Sequence, residues 1–485
     1  MSDTPSPSPP AERPSLGMRI DRLFASRWGL VIIYGFFLVA YLIASGPRLK
    51  RHSQYNHFVY LAEGWLDGRL SLKGQPPNEN DWARVEVLTL TDGRTVRGKF
   101  GSTGATDRFY FTKGGSETIG PEEIRSRDSV RYVSFPPFPA VPMLPFVAAA
   151  GLRFNDVVFT VLWAAFNPVL MFMLLRELVR RGYSKRTLRD DLWLTALLGV
   201  GSVYYTSAVL GQVWYTAHVV AVTITILYAW ASLDAKFPIR AGILLGLGFA
   251  TRPPLGYMFP LFVWEAVRVA GGWKALWDSL RHRHRLPPGL FVRLLKCGLP
   301  ALGILVLLFL YNKARFDKFT MFGHEYLNIA WKERVERWGL FNYHFLSRNL
   351  AASLVLLPKI FVTYPFVQYS RHGMSIFVTS PNLAWLFGRR EPSPLAPGLW
   401  ITILAAALPS LLYQNSGYQQ FGYRFLLDYL PYLIILMAVG GRRFGPLFKI
   451  LLVLSAAVNL FGAITFDRYP QFSYEDNCIF PHGCN

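Results

Sequence analysis

Apolar residues along the chain come in long unbroken runs, not at the spacing of one helix face or one strand face. Runs such as Trp28–Ser45, Asp191–Gly211 and Leu447–Thr465 each approach the ~20 residues a bilayer-crossing helix needs. The runs predict about eleven spans, near 28–45, 155–178, 191–210, 213–232, 240–251, 254–270, 290–311, 376–388, 397–413, 424–440 and 446–465. The expected fold is an all-α polytopic membrane protein carrying a small β-rich insert.

Basic residues orient the spans, because cytoplasmic loops accumulate Lys and Arg. Arg19, Arg22 and Arg27 precede the first span and put the N-terminus in the cytoplasm. The groups Arg180, Arg181, Lys185, Arg186 and Arg189, then Arg281, Arg283, Arg285 and Arg293, fall on the same side. Arg389 and Arg390, then Arg442, Arg443 and Lys449, join them. An odd number of spans leaves the C-terminus outside. The apolar segment Phe135–Gly151 opens with Pro-Pro-Phe-Pro. As a full span it would place Arg180–Arg189 outside; the reading that keeps the basic loops together is a helix lying at the outer interface, with Pro137 in its first turn.

Two large loops then face outward, Gly46–Asn155 and Asn312–Ser375. In the second, Phe345–Leu357 reads as another interfacial helix. In the first, residues 82–129 change to a strand pattern. Val85–Leu90 is β-rich, Asp92-Gly93 marks a tight turn and Arg94–Phe100 returns. Arg108–Thr112, Gly114-Gly115 and Glu117–Ile119 form a second hairpin pattern. We read a β-barrel-like module, as a structural insertion in preference to a catalytic one; contact with an acceptor or partner is the other reading. The Ser/Pro-rich residues 1–17 are expected to be disordered, the membrane domain to run from 18 to 465, and residues 466–485 to form an outer tail. No cleavable secretory signal is evident.

Composition sharpens this picture. Of 485 residues, 52% are hydrophobic and only 17% charged, under the ~25% of soluble domains, which excludes an ordinary soluble enzyme and a disordered chain. The net charge of +21 would suggest nucleic acid in a soluble protein; here the inner loops account for it, and no nucleic-acid partner is expected. Cys297 lies in an apolar run. Cys478 and Cys484 close a short tail loop, bonded or free, and with His482 alone beside them they do not make a zinc set.

Polar side chains beside spanning helices are costly in lipid and usually face a cavity. Those on the outer side are Gln54, Asn56, His57, Glu63, Asp67 and Asp81; Gln212, Trp214 and His218; Thr251 and Arg252; His324 and Glu325; and Tyr423, Arg424 and Asp428. Their expected convergence in one outer cavity is the main functional signal. There is no P-loop, nucleophile elbow or H-E-x-x-H.

Five stretches carry a family resemblance. They are Gln54–Ala62 with Gly68-Arg69-Leu70; Tyr132–Pro139; Gly242–Arg252, ending Ala-Thr-Arg; Tyr311–Phe316; and Phe421–Phe425 with Pro431. Together they resemble the membrane glycosyltransferases of the GT-C fold that use polyprenyl-phosphate sugars, such as protein O-mannosyltransferases and lipid A aminoarabinose transferases. The resemblance implies transfer of a sugar, with inversion, from a polyprenyl-phosphate donor to a lipid, glycan or protein hydroxyl outside the membrane. It also implies a setting in a bacterial inner membrane, with the active face periplasmic.

One departure matters. The family places its general base, an Asp, at the position of Gln54, and the Glu that follows at Tyr55. An amide cannot take a proton usefully near neutral pH. Asp81 is the replacement candidate, followed by Glu63 and Asp67, which share a helix face at i, i+4. Arg424 and Arg252, with Arg131 and Lys313 as a second basic pair, are candidates for the donor phosphate. Trp214, Tyr423 and Trp65 could stack on sugar or acceptor. The chemistry allows a divalent cation, but no dedicated ligand cluster is evident and no metal ligand is assigned. Without the family Asp, a flippase for lipid-linked precursors and a non-catalytic assembly subunit are the rival readings.

Overall fold

The computed structural model describes residues 22–24, 26–101, 107–282, 287, 289–327, 332–388 and 391–476. The N-terminal tail and the Cys478–Cys484 loop lie outside the described residues. The chain is mostly helical, and five helices are both long and apolar enough to cross a membrane: Arg27–Lys50, Asp156–Arg180, Val213–Ala235, Leu290–Phe316 and Pro446–Thr465. They match five of the predicted spans. Enclosure differs sharply among them. In the most apolar stretch of Val213–Ala235 83% of residues are buried, against 11% in Leu290–Phe316, so the first is the axis of the bundle and the second lies at its edge.

Several other predicted spans are shorter or broken. Leu188–Gly199 starts from a capping box between Thr187 and Asp190 and stops before a second short helix, Tyr204–Ala208. Pro253–Met258 is a 3-10 turn ahead of Pro260–Val269, and Arg424–Asp428 is another ahead of Leu430–Val439. Proline is tolerated at a helix start and disrupts the turn before it, which explains why these runs break where they do. The breaks matter for function, because Arg252, Arg424 and Asp428 all stand at them.

The insert is a five-stranded antiparallel sheet: β1 Trp82–Leu90, β2 Thr95–Phe100, β3 Arg108–Phe111, β4 Ser116–Thr118 and β5 Ile124–Val133, in the order β4-β3-β2-β1-β5. Both predicted hairpins are present. The barrel-like expectation is corrected: β4 and β5 stand at opposite edges, so the described strands form an open sheet. The module also extends past residue 129, because β5 runs on to Val133. Exposed Arg125–Asp128 hide the strand pattern of β5 in the sequence. Leu88, Leu90, Phe109 and Ile119 make a small core of their own. The sheet is pinned to the membrane domain through Asp317, which accepts from Arg97 at 3.2 Å and from the Thr112 hydroxyl at 2.6 Å. Arg315, two residues earlier, donates to the Val133 carbonyl at the end of β5 at 2.6 Å.

The segment after β5 is a 3-10 stretch, Phe138–Met143, leading into the short helix Leu144–Ala150. Phe138 donates its backbone N–H to the Ala250 carbonyl at 2.9 Å, fixing this segment beside Arg252. In the second outer loop Leu346–Leu350 and Ala351–Val355 are helical, as expected. Beyond them β6 Lys359–Ile360 pairs with β7 Val367–Ser370, and β8 Ser473–Tyr474 pairs parallel to β7. Residues Ser473–Tyr474 of the C-terminal tail are therefore a strand packed on this loop.

Candidate active site

Asp81 sits just ahead of β1 in a left-handed conformation, φ +60°, which Asp tolerates better than most residues. Its neighbours hold it there. Ser134 donates its hydroxyl to the Asp81 carbonyl at 3.2 Å. His57, at the start of the His57–Leu66 helix, stacks on Trp82 with ring centroids 3.8 Å apart. One ring nitrogen of His57 lies 3.0 Å from the Asn80 carbonyl. The carboxylate meets the Trp214 indole N–H, which donates to Oδ2 at 3.0 Å. Burial pushes the Asp81 carboxyl above its ordinary value, while the Trp214 hydrogen bond and the charge of Arg424 pull against it.

Trp214 is placed by the start of the central helix. Gln212 caps Val213–Ser232, and Gly211 before it has φ +71°. A Cβ on Gly211 would stand 2.5 Å from the Val157 Cα, so only glycine lets the junction approach the Asp156–Arg180 helix this closely. The backbone N–H of Val213 donates to the Tyr55 carbonyl at 3.0 Å, and the Tyr55 ring lies 4.8 Å from Trp214.

The cationic side of the site comes from the two helix breaks. Arg252 grips Asp428 with both arms of its fork, at 2.6 and 2.9 Å. His218 lies 3.6 Å from the same carboxylate. Arg424 is different. It is buried, donates to the Gln419 carbonyl at 3.0 Å, and lies 5.2 Å from the Tyr215 ring and 5.6 Å from the Phe425 ring. Among the described residues it ion-pairs with no carboxylate. Asp81 and Arg252 are both electrostatic neighbours of Arg424. Asp81 thus stands near both cations of the helix breaks, although 171 positions separate it from Arg252 and 343 from Arg424.

The other sequence candidates fall at varying distance. Asn56 and His57 are buried beside the Asp81 turn. Gln54 exposes its side chain and accepts from Asn78 through its carbonyl at 2.6 Å. Gln212 donates to Asp467 at 2.7 Å, tying the central helix to the outer tail. Tyr423 is buried 5.7 Å from the Phe425 ring. Glu63 has one buried carboxylate oxygen without a hydrogen-bond partner. Asp67 is exposed and paired to Arg69 at 2.7 Å, which holds its carboxyl below the ordinary value. Arg131 is paired to Glu79 at 3.0 Å, whereas Lys313 is exposed and lies over the Phe319 ring, so these two do not form one cationic site. Trp65 packs 6.3 Å from Tyr311. His324 and Glu325 border the β-module, where the Glu325 carbonyl accepts from Lys99 at 2.8 Å. Among the described residues no three His, Cys, Asp or Glu side chains are grouped so as to hold a metal ion.

Sequence reasoning missed the roles of Tyr215 and Phe425, whose rings lie against Arg424, of Tyr413 beside Phe425, and of Tyr55 beside Trp214. Nothing in their local pattern separates them from the other aromatic residues of the spans.

No family model matches the chain, and no curated protein matches it in sequence. Two solved structures resemble it in backbone. The crystal structure of ArnT from Cupriavidus metallidurans bound to undecaprenyl phosphate superposes with a TM-score of 0.43 at 12% identity, over 89% of this chain and 64% of that one. The apo oligosaccharyltransferase of Archaeoglobus fulgidus superposes with a TM-score of 0.39 at 11% identity, over 91% of this chain and 57% of that one. The chain thus spans less than two thirds of the length of either protein it resembles.

Proposed function

We propose that the protein is a membrane glycosyltransferase that moves a sugar from a polyprenyl-phosphate donor to an acceptor hydroxyl at the extracytoplasmic face of a bacterial inner membrane. The observation that carries this reading is Arg424: a buried guanidinium, next to a carboxylate but ion-paired with none. A buried charge is costly unless something neutralises it, and a bound phosphate would do so. Arg252, already engaged with Asp428, adds positive potential from behind.

Asp81 is the proposed general base. Its Oδ2 accepts from Trp214, which leaves Oδ1 for the acceptor. The acceptor hydroxyl gives its proton to the carboxylate as its oxygen attacks the anomeric carbon. The bond from that carbon to the phosphate oxygen breaks, and the electron pair leaves on the phosphate beside Arg424. Attack opposite the leaving group inverts the anomeric centre. A carboxylate raised by burial is a stronger base than a solvated one, and a fixed cation at the leaving group contributes on the order of 3 kcal/mol. Asp81 is favoured over Asp67 because Asp67 is exposed and occupied by Arg69.

The test is transfer of labelled sugar from a polyprenyl-phosphate donor by purified protein in lipid. Asp81→Asn should cut transfer by roughly 100- to 10,000-fold while donor binding is kept. Transfer that survives removal of Asp81, Glu63 and Asp67 together defeats the base assignment.

A further inference from the structure

The second outer loop exposes a row of large apolar side chains that none of the described residues covers. Leu354, Val355, Leu357, Ile360, Val362 and Tyr364 are between 44% and 97% exposed, with Val362 at 97% and Ile360 at 83%. The last three lie on the hairpin that joins β6 to β7. Its tip reads Ile360-Phe-Val-Thr-Tyr-Pro-Phe366 and contains no charged residue, with Lys359 at its base. Several of its backbone groups are satisfied internally: the Phe361 N–H donates to the Phe366 carbonyl at 2.8 Å and the Phe366 N–H to the Thr363 carbonyl at 2.9 Å.

The surface is continuous with the outer side of the last membrane helix. Pro446–Thr465 exposes Leu447, Ile450, Val453, Leu454 and Leu460 along its length, and Ile464 and Tyr469 continue the stripe outward. From Tyr469 the contact passes to Phe472 at 6.4 Å, from Phe472 to Tyr364 at 6.1 Å, and from Tyr364 to Phe366 at 6.2 Å. The hairpin therefore prolongs a face that the bilayer already covers.

We infer that the 354–366 segment inserts its tip into the outer leaflet and that its partner is lipid acyl chain. An uncharged aromatic and β-branched tip with Tyr and Lys at its margins has the composition of an interfacial anchor. Insertion removes Val355, Leu357, Ile360, Val362 and Tyr364 from water. The inference does not depend on the glycosyltransferase reading.

Spin labelling tests it. A single cysteine at Val362→Cys, with Cys297, Cys478 and Cys484 changed to Ser, is labelled in full-length protein in phosphatidylcholine vesicles. Asp92→Cys, in the β1–β2 turn, reports water, and Val453→Cys, on the exposed helix face, reports lipid. Val362 makes so little contact that the label has nothing to disturb. The expected result is relaxation by oxygen exceeding relaxation by an aqueous nickel chelate at residue 362, as at 453 and in contrast to 92. Relaxation dominated by the chelate overturns the inference, since the tip then stands in water. Weak relaxation by both agents overturns it too, since protein, such as a second copy of the chain, then covers the tip.

Discussion

The indole of Trp214 donates to the carboxylate of Asp81 at 3.0 Å across a sequence separation of 133 residues. One bond thus joins the start of the most enclosed of the five long apolar helices to the turn that begins the inserted sheet. It also sets the charge state of the proposed base. Burial drives the carboxyl up, and the indole N–H, which binds only the charged form well, pulls it down. Removing that donor as Trp214→Phe should raise the Asp81 pKa further. The acid limb of the kcat profile should move to higher pH, because a base with a raised pKa is protonated, and lost, earlier as pH falls. The ring of Phe keeps the packing against Tyr55, so donor affinity should hold. A pH profile of kcat superimposable on that of the wild type would rule out Asp81 as the base. Asp81→Asn should cost roughly 100- to 10,000-fold in transfer.

Arg252 and Arg424 should behave differently when their charge is removed. Arg252→Gln leaves Asp428 buried without its bidentate partner, a change that typically costs about 3–5 kcal/mol. The double variant Arg252→Gln with Asp428→Asn removes both charges and should recover part of that loss. Arg424→Gln removes a buried cation that has no carboxylate partner, so stability should change little or improve. Its effect should fall instead on binding of the polyprenyl phosphate of the proposed donor. Thermal unfolding in detergent, alongside a lipid-phosphate binding assay, separates the two outcomes. Equal destabilisation by both single variants would contradict the distinction.

How much of this was legible in the sequence depends on the kind of signal. Spans with an uninterrupted apolar run, such as Trp28–Ser45, could be read directly. Strong turn chemistry at Asp92-Gly93 located the first hairpin. The strand β5 was lost because Arg125–Asp128 face solvent and mask its alternation. The broken spans could not be bounded, because a proline near a helix start and a proline that ends the preceding turn look alike in sequence. Asp81, Arg252 and Arg424 were legible as costly polar groups beside apolar runs. Their proximity to one another was not, since it depends on which helices pack together. Nor could sequence show that the fork of Arg252 is already occupied by Asp428 while Arg424 has no acid.

His57 makes stability depend on pH. It is fully buried, and burial lowers its pKa from 6.5 to about 4, so it is neutral in the folded protein. In the unfolded chain it titrates near 6.5, so between about 4 and 6.5 the unfolded state binds the extra proton. Stability from this residue is complete above pH 6.5 and is lost as pH falls toward 4. His324, also held near 4 by burial, adds to the same trend. His57→Phe keeps a ring against Trp82 but loses the bond to the Asn80 carbonyl, worth about 1 kcal/mol. The variant should unfold at a lower temperature than wild type at pH 7.5 and show a shallower fall between pH 6.5 and 4.5. Parallel curves for the two proteins would refute the account.

The sheet is held to the membrane domain by one carboxylate that serves two of its strands. Asp317 accepts from Arg97 on β2 and from Thr112 just after β3, and Arg97 also donates to the Arg315 carbonyl at 2.9 Å and the Tyr132 hydroxyl at 2.8 Å. Asp317→Ala would leave the partly buried guanidinium without its counter-charge, at a cost of about 1–3 kcal/mol. The cost is local, because β2 and β3 pack on the separate core of Leu88, Leu90, Phe109 and Ile119. Hydrogen exchange should therefore accelerate in β2 and β3 while Val213–Ser232 and Leu430–Val439 keep their protection. If sugar transfer by the variant stays at the wild-type rate while exchange in β2 and β3 rises, the sheet is a structural insertion. If transfer falls in step with the loosening, the sheet positions Asp81 through β1, whose first residue, Trp82, directly follows the proposed base.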